Sequence, residues 1–149
     1  MTTFICAPLQ TVFDAARNAD WHTQTTKHTR EKIVAGRNEG LFELNDEVTF
    51  EATHLFVRQR LSARVVDMQP PHRFSDEMQS GAFKNLRHVH LFEDSENGTR
   101  MTDVLIWTSP LGWLGKAADR LFLVRYMTRF LQQRNRALKA LVEAASSTR

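Results

Sequence analysis

The side chains whose chemistry is worth weighing, for binding a ligand or moving a proton, are His54, Asp76, His88, His90 and Asp103. His88 and His90 stand two apart. On a strand such a pair projects to one face with the rings about 7 Å apart, a spacing that suits two metal ligands or a tuned acid–base pair. Asp103 follows on the next alternating segment, where a hairpin brings it opposite His90 as a carboxylate that orients the ring. Asp76 stands near Phe74, Met78 and Leu86, and burial among them predicts a raised pKa and the role of an acid. A metal is not expected. No cysteine or third histidine falls on a neighbouring strand, and the pattern sets Asp76 beside Leu86 rather than beside His88. A buried, hydrogen-bonded histidine–carboxylate pair that stiffens the sheet explains the same residues, with neither metal nor cofactor.

The elements that must hold these residues follow from period-two alternation. Thr2–Cys6 reads as a short strand. Pro8 then opens a helix with Leu9, Val12, Phe13 and Ala16 on one face, and Trp21 anchors a second short helix. Glu31–Arg37 is a strand ended by the glycine turn at Gly36, Leu41–Asn45 is ambiguous, and five clearer segments follow. Glu47–Phe56 turns Phe50, His54 and Phe56 to one side, and Gln59–Asp67 does the same with Leu61, Ala63 and Val65. Arg73–Gln79 offers Phe74, Asp76 and Met78. Lys84–Phe92 offers Leu86, His88 and His90, and residues 99–108 offer Asp103, Leu105 and Trp107. A turn near 94–98 sets His90 opposite Asp103, His88 near Leu105 and Leu86 near Trp107.

From Ser109-Pro110 a helical pattern runs to about Ala145, roughly 50 Å at 1.5 Å per residue, which needs a broad sheet as its partner. Val124, Met127 and Leu131 are expected to serve both as core and as cavity wall. Gly112 and Gly115 loosen the start of the helix, so residues 109–116 read either as a close-packed corner or as a lid tipped by Trp113. Eight basic residues from Lys116 to Arg149 face only Asp119 and Glu143, and they read as a solvated face rather than a nucleic-acid surface. The single cysteine, Cys6, rules out an internal disulfide and is expected buried and inert. The composition, 42% apolar and 25% charged over 149 residues, is that of one globular domain spanning 1–149. With no long apolar run and no export-like start, an integral membrane segment is not expected and the cytoplasm is the expected compartment.

The stretches Asp76-Glu77-Met78, Gly81-Ala82-Phe83-Lys84, His88-x-His90, Met101-x-Asp103 and Ser109-Pro110-Leu111-Gly112 resemble the bacterial polyketide cyclase and lipid-transport branch of the START/Bet v 1-like helix-grip superfamily. The resemblance implies an α+β fold: a curved seven-stranded antiparallel sheet wrapped around a long C-terminal helix, with two short helices after the first strand. It also implies an apolar cavity between sheet and helix. The function expected is binding or carrying of a small hydrophobic ligand, a lipid, quinone or polyketide-like aromatic. The residues expected to line the site are Phe50, His54, Phe56, Ala63, Phe74, Met78, Leu86, His88, Leu105, Trp107, Val124, Met127 and Leu131. A cyclase or dehydratase using His90, Asp103 and Asp76 as acid and base is the alternative, and a protein-interaction module is a third class. The outer face is largely polar, but Val89, Leu91, Val104 and Ile106 leave room for a homodimer.

Overall fold

Alternating segments separated by tight turns have one economical solution, a meander in which each strand pairs with the next. A computed structural model of the chain, describing residues 1–54, 56–109 and 122–147, has that arrangement. In chain order the elements are β1 (Thr2–Ile5), α1 (Leu9–Ala16), α2 (Ala19–Thr25), a 3-10 turn (Lys27–Thr29), β2 (Lys32–Gly36), β3 (Glu47–His54), β4 (Val57–Gln69), β5 (Arg73–Ser80), β6 (Asn85–Ser95), β7 (Gly98–Thr108) and the C-terminal helix, here α3 (Val124–Ser147). The sheet runs β1-β7-β6-β5-β4-β3-β2, antiparallel throughout. Only β1 breaks sequence order, and the two short helices bridge the sheet from β1 at one edge to β2 at the other.

Those helices follow from local rules. Leu9, Val12, Phe13 and Ala16 form the buried face of α1. Asn18, which reads as a helix breaker, begins the next helix, its side chain accepting the Trp21 N–H at 3.0 Å. One core group joins α1 to the sheet and to the end of α3 through Phe13, Phe74, Phe92, Met101, Leu138 and Val142. A second, made of Ala19, Phe42, Val48, Phe50, Ala63 and Val65, lies toward β2. Leu41–Asn45 is not a strand. Leu41 makes one bridge to Asn18, while the Phe42 N–H bonds the Arg17 carbonyl, so the segment is laced to the α1–α2 corner.

Four expectations need correction. β3 ends at His54, whose pairing with Val57 closes a tight turn, so Phe56 takes a φ of 65° and is fully exposed. β4 continues to Gln69 through two irregularities, and the shift between Val65 and Asp67 changes its phase, so Met68 faces the core that Val65 faced. Cys6 lies just past β1 and is exposed. Arg134 is not on the solvated side of the helix: it is 4% exposed. The helical start and lid readings for 110–121 fall outside the described residues. Among those described, no helix is long and apolar enough to cross a membrane.

Candidate functional site

The concave face of the sheet and α3 enclose a cavity of about 350 Å³. Its walls are mostly apolar, from Phe50, Ala63, Val65, Phe74, Leu86, Leu105, Met127 and Leu131, and polar groups gather at two ends.

The first end is built on Asp103. The β6–β7 register is the one the turn predicts, with His90 opposite Asp103, His88 opposite Leu105 and Leu86 opposite Trp107. Asp103 is 2% exposed and surrounded by donors. Its Oδ1 accepts from His88 Nε2 at 2.9 Å and from Arg134 Nη1 at 3.4 Å, and its Oδ2 accepts from Asn135 Nδ2 at 2.5 Å. His90 Nδ1 is 3.0 Å from Oδ1 but off the line a hydrogen bond needs, so the contact is one of charge. Burial alone would raise the Asp103 pKa; the His88 and His90 rings, with the Arg134 charge behind them, hold it well below the carboxylate range. Asp103 is therefore ionised, and His88 Nε2 carries the proton between them.

Burial, together with the neighbouring His90 charge, pulls His88 down to about 4, so this ring is neutral near pH 7. His90 goes the other way. Burial opposes its charge, but the Asp103 and Asp76 carboxylates outweigh burial and raise it. Asp76 lies opposite His88 on β5, and its Oδ2 is 3.6 Å from His90 Nε2. The expected placement of Asp76 beside Leu86 is thus incorrect, and so is its expected raised pKa. Burial works in that direction, but His90 and the adjacent His88 hold the carboxyl below its ordinary value.

At the second end His54 Nδ1 lies 2.7 Å from the Tyr126 hydroxyl, with Phe130 edge-on to the same ring. Burial lowers the His54 pKa, keeping the ring neutral. Beside it, His22 Nε2 bonds Glu31 at 2.7 Å, and the His22 ring stacks on Phe50 at 4.5 Å. Burial would raise Glu31, but His22 more than offsets it.

Of the residues expected to line the site, Phe50, His54, Ala63, Phe74, Leu86, His88, Leu105, Met127 and Leu131 border the cavity, as do His90 and Asp76. Phe56 is out in its turn, and Val124 is 45% exposed at the start of α3. Met78 pairs with Ala63 but its sulfur lies against Gly81 beside Leu61, and Trp107 packs toward Phe83. Neither borders the cavity. Sequence reasoning passed over Arg134, Asn135, Tyr126, His22 and Glu31. A signal existed for two of these: 134 and 135 share the helical spacing of Leu131, Leu138 and Val142, all buried, so polar residues there had to be buried and paired.

A family model described as polyketide cyclase/dehydrase and lipid transport matches residues 1–143. The chain belongs to that family. Its architecture is the helix-grip fold of the START/Bet v 1-like superfamily. It is similar to the TTHA0849 protein of Thermus thermophilus, at TM-score 0.79 and 19% identity over 98% of this chain and 97% of that one. The Ms6760 protein of Mycobacterium smegmatis gives 0.73 at 17% identity over 97% and 89%. The Ara h 8.0201 structure gives 0.66 at 10% identity over 97% and 95%. At such identities the likeness is one of fold alone. Comparison with curated proteins gives no match.

Proposed function

We propose that this family member binds and carries a small, largely apolar molecule that bears a hydroxyl or phenol. The observation that carries the reading is a cavity of about 350 Å³ with apolar walls whose polar floor is already paired internally. Such a volume falls within the roughly 300–1,000 Å³ of small-ligand sites. Three of the five Arg134 N–H donors are taken by Asp103, Asn135 and the Ala16 carbonyl. The Asp76 carboxylate, its side chain 30% exposed, and the neutral His88 ring are the floor groups least covered. Both offer acceptor atoms. A hydroxyl satisfies them, whereas a fatty-acid carboxylate meets the Asp76 charge.

The test pairs native mass spectrometry of purified protein, to find a copurified compound, with displacement of an apolar fluorescent probe by 1-naphthol or 1-naphthoate. Naphthol is expected to compete at least tenfold better. A folded protein that takes up no probe would end the carrier reading, and equal competition would end the hydroxyl preference.

A second reading has its own support. His88, kept neutral by burial, stands beside His90, whose proton the Asp103 and Asp76 carboxylates hold more tightly; this is a base next to an acid, the minimum for moving a proton within a bound polyketide-like substrate. The family description includes cyclase and dehydrase beside lipid transport. Deuterium exchange at an activated C–H of a bound β-diketone, lost in His88→Gln, would favour catalysis over carriage.

A further inference from the structure

One ligand atom each from Asp76, His88 and His90 lie within 4.8 Å of one another at the cavity floor. We propose that these three side chains form a binding site for one divalent transition-metal ion, open to the cavity. The site draws on the same Asp76 and His88 acceptors that the ligand reading assigns to a hydroxyl, so that preference applies to the metal-free protein, and metal uptake without any organic ligand tests the site separately.

The backbone makes the trio. Antiparallel pairing sets Asp76 opposite His88, and the two-residue period sets His90 on the same face. All three therefore stand on adjacent paired strands rather than on loops. The sequence pattern disfavours a metal because it sets Asp76 beside Leu86, and the register removes that objection.

Two distances are compatible with an ion held between these side chains. Asp76 Oδ2 and His90 Nε2 are 3.6 Å apart, too far for a hydrogen bond, although nothing but charge attraction would need to close them. Two donors each about 2.1 Å from one ion at tetrahedral or octahedral angles stand roughly 3.0–3.5 Å apart. The widest span in the trio, at most 4.8 Å, then closes by roughly 1.3–1.8 Å of relative side-chain movement, shared between the two groups.

Asp103 supplies what lies behind such ligands. Metal-bound histidines nearly always set their other ring nitrogen against a carboxylate, a backbone carbonyl or water. Here one buried carboxylate meets both rings, at 2.9 Å from His88 Nε2 and 3.0 Å from His90 Nδ1. His90 Nδ1 is buried and has no well-aimed partner among the described residues, so the ring is not yet fixed by a proton network. With both imidazoles neutral, Asp76, Asp103 and Arg134 together carry one negative charge, which a divalent cation offsets. Two imidazoles and one carboxylate suit zinc, iron(II) or cobalt(II) better than magnesium or calcium. Three protein ligands leave positions that face the cavity.

The experiment uses tag-free full-length protein stripped with chelator and carrying Cys6→Ser, so that the exposed thiol adds no background. Zn²⁺ is titrated by calorimetry with elemental analysis after dialysis, and Co²⁺ is added to read its visible absorption. One ion per chain is expected, with Co²⁺ bands of a low-coordinate N/O site. Asp76→Asn and His88→Gln should each weaken Zn²⁺ binding at least tenfold, whereas His72→Gln, at the exposed turn between β4 and β5 and away from the cavity, should leave it unchanged. Asp103→Asn, which touches no ion, should weaken it about tenfold to a hundredfold if the variant folds. Asp76 is the partly exposed member, so its variant keeps the test decisive if the buried ones misfold. Substoichiometric uptake by the folded parent protein would overturn the proposal. So would Zn²⁺ affinity equal to that of the parent in folded Asp76→Asn.

Discussion

Asp103 is the residue at which β6, β7 and α3 are tied together by hydrogen bonds. It lies on β7, takes hydrogen bonds from His88 on β6 and from Arg134 and Asn135 on α3, and is 2% exposed. Asp103→Asn keeps the shape but leaves the His90 and Arg134 charges facing an amide. Removing one partner of a buried charge set costs about 3–5 kcal/mol, and chemical denaturation at pH 7 should show a loss of that size. A loss under about 1 kcal/mol would mean that solvent reaches the floor. The two histidines next to it set opposite limits on pH stability. The folded His88 pKa, about 4, is below its unfolded value near 6.5, so the unfolded chain binds more protons in that window and stability falls as pH drops from about 6.5 toward 4. Burial acts the same way on His54. The folded His90 pKa is raised, so its contribution is complete below the unfolded value and is lost as pH climbs through the folded one. Asp76 and Asp103, both lowered, lose their contributions only in stronger acid. Stability should therefore peak near pH 6.5, with His88→Gln flattening the acid side and His90→Gln the alkaline side. Unfolding free energies that do not vary between pH 5 and 8 would contradict these assignments.

At the level of elements, the β6–β7 pairing was legible because the alternation on both arms is long and the turn Ser95-Glu96-Asn97-Gly98 is short. Asn97 takes the positive φ, 67°, that such a turn demands. The shift in β4 was not legible, since Val65, Val66 and Asp67 carry no residue that announces a change of phase; it emerges only when Met68 must meet Phe74. Arg134 was misread for a related reason: a basic residue on a basic helix looks solvated until its spacing from Leu131 and Leu138 is weighed. Nor did polarity alone show that His22 on α2 and Glu31 just before β2 face the cavity. Ala63 is the small residue on which the hollow depends, 3% exposed between Val48 on β3 and Met78 on β5. Ala63→Trp should cost about 1–3 kcal/mol from overpacking, keep the fold, and abolish uptake of the apolar probe. Unchanged probe affinity in a folded variant would move the site elsewhere. Gly36 is the second such position. At φ 82° its added Cβ would meet the Glu47 carbonyl oxygen at 2.0 Å, so Gly36→Ala should free the edge strand β2, seen as faster amide exchange at Ile33 and Ala35.

Across the whole molecule, the sheet and the cavity both depend on how α3 is fastened at its far end. Leu138 and Val142 are 2% and 0% exposed and join the core group that contains Phe13, Phe92 and Met101. Polar contacts run alongside: Lys139 Nζ donates to the Phe4 carbonyl at 2.8 Å, and the Cys6 N–H donates to Glu143 Oε1 at 2.8 Å. That backbone bond to Cys6, aided by Lys139, holds the Glu143 carboxyl below its ordinary value, so the tie persists well into acid. Deleting residues 136–149 removes all four side chains. Each buried aliphatic lost to a cavity costs about 2–5 kcal/mol, so Leu138 and Val142 alone approach the 5–15 kcal/mol that holds a domain of this size together. The edge strand β1 loses its Lys139 tie and the adjoining Cys6 bond at the same time, keeping the Asn135 bond to Thr3. The truncated chain should therefore be aggregated, or compact with strand signal in the far ultraviolet but no fixed aromatic environment. Leu138→Ala separates the two contributions, since it removes packing and keeps the polar ties. It should unfold cooperatively at a lower denaturant midpoint with an unchanged slope. If the truncated chain instead melts cooperatively near the wild-type midpoint, the helix covers the sheet without stabilising it, and the cavity between them would owe its shape to the sheet alone.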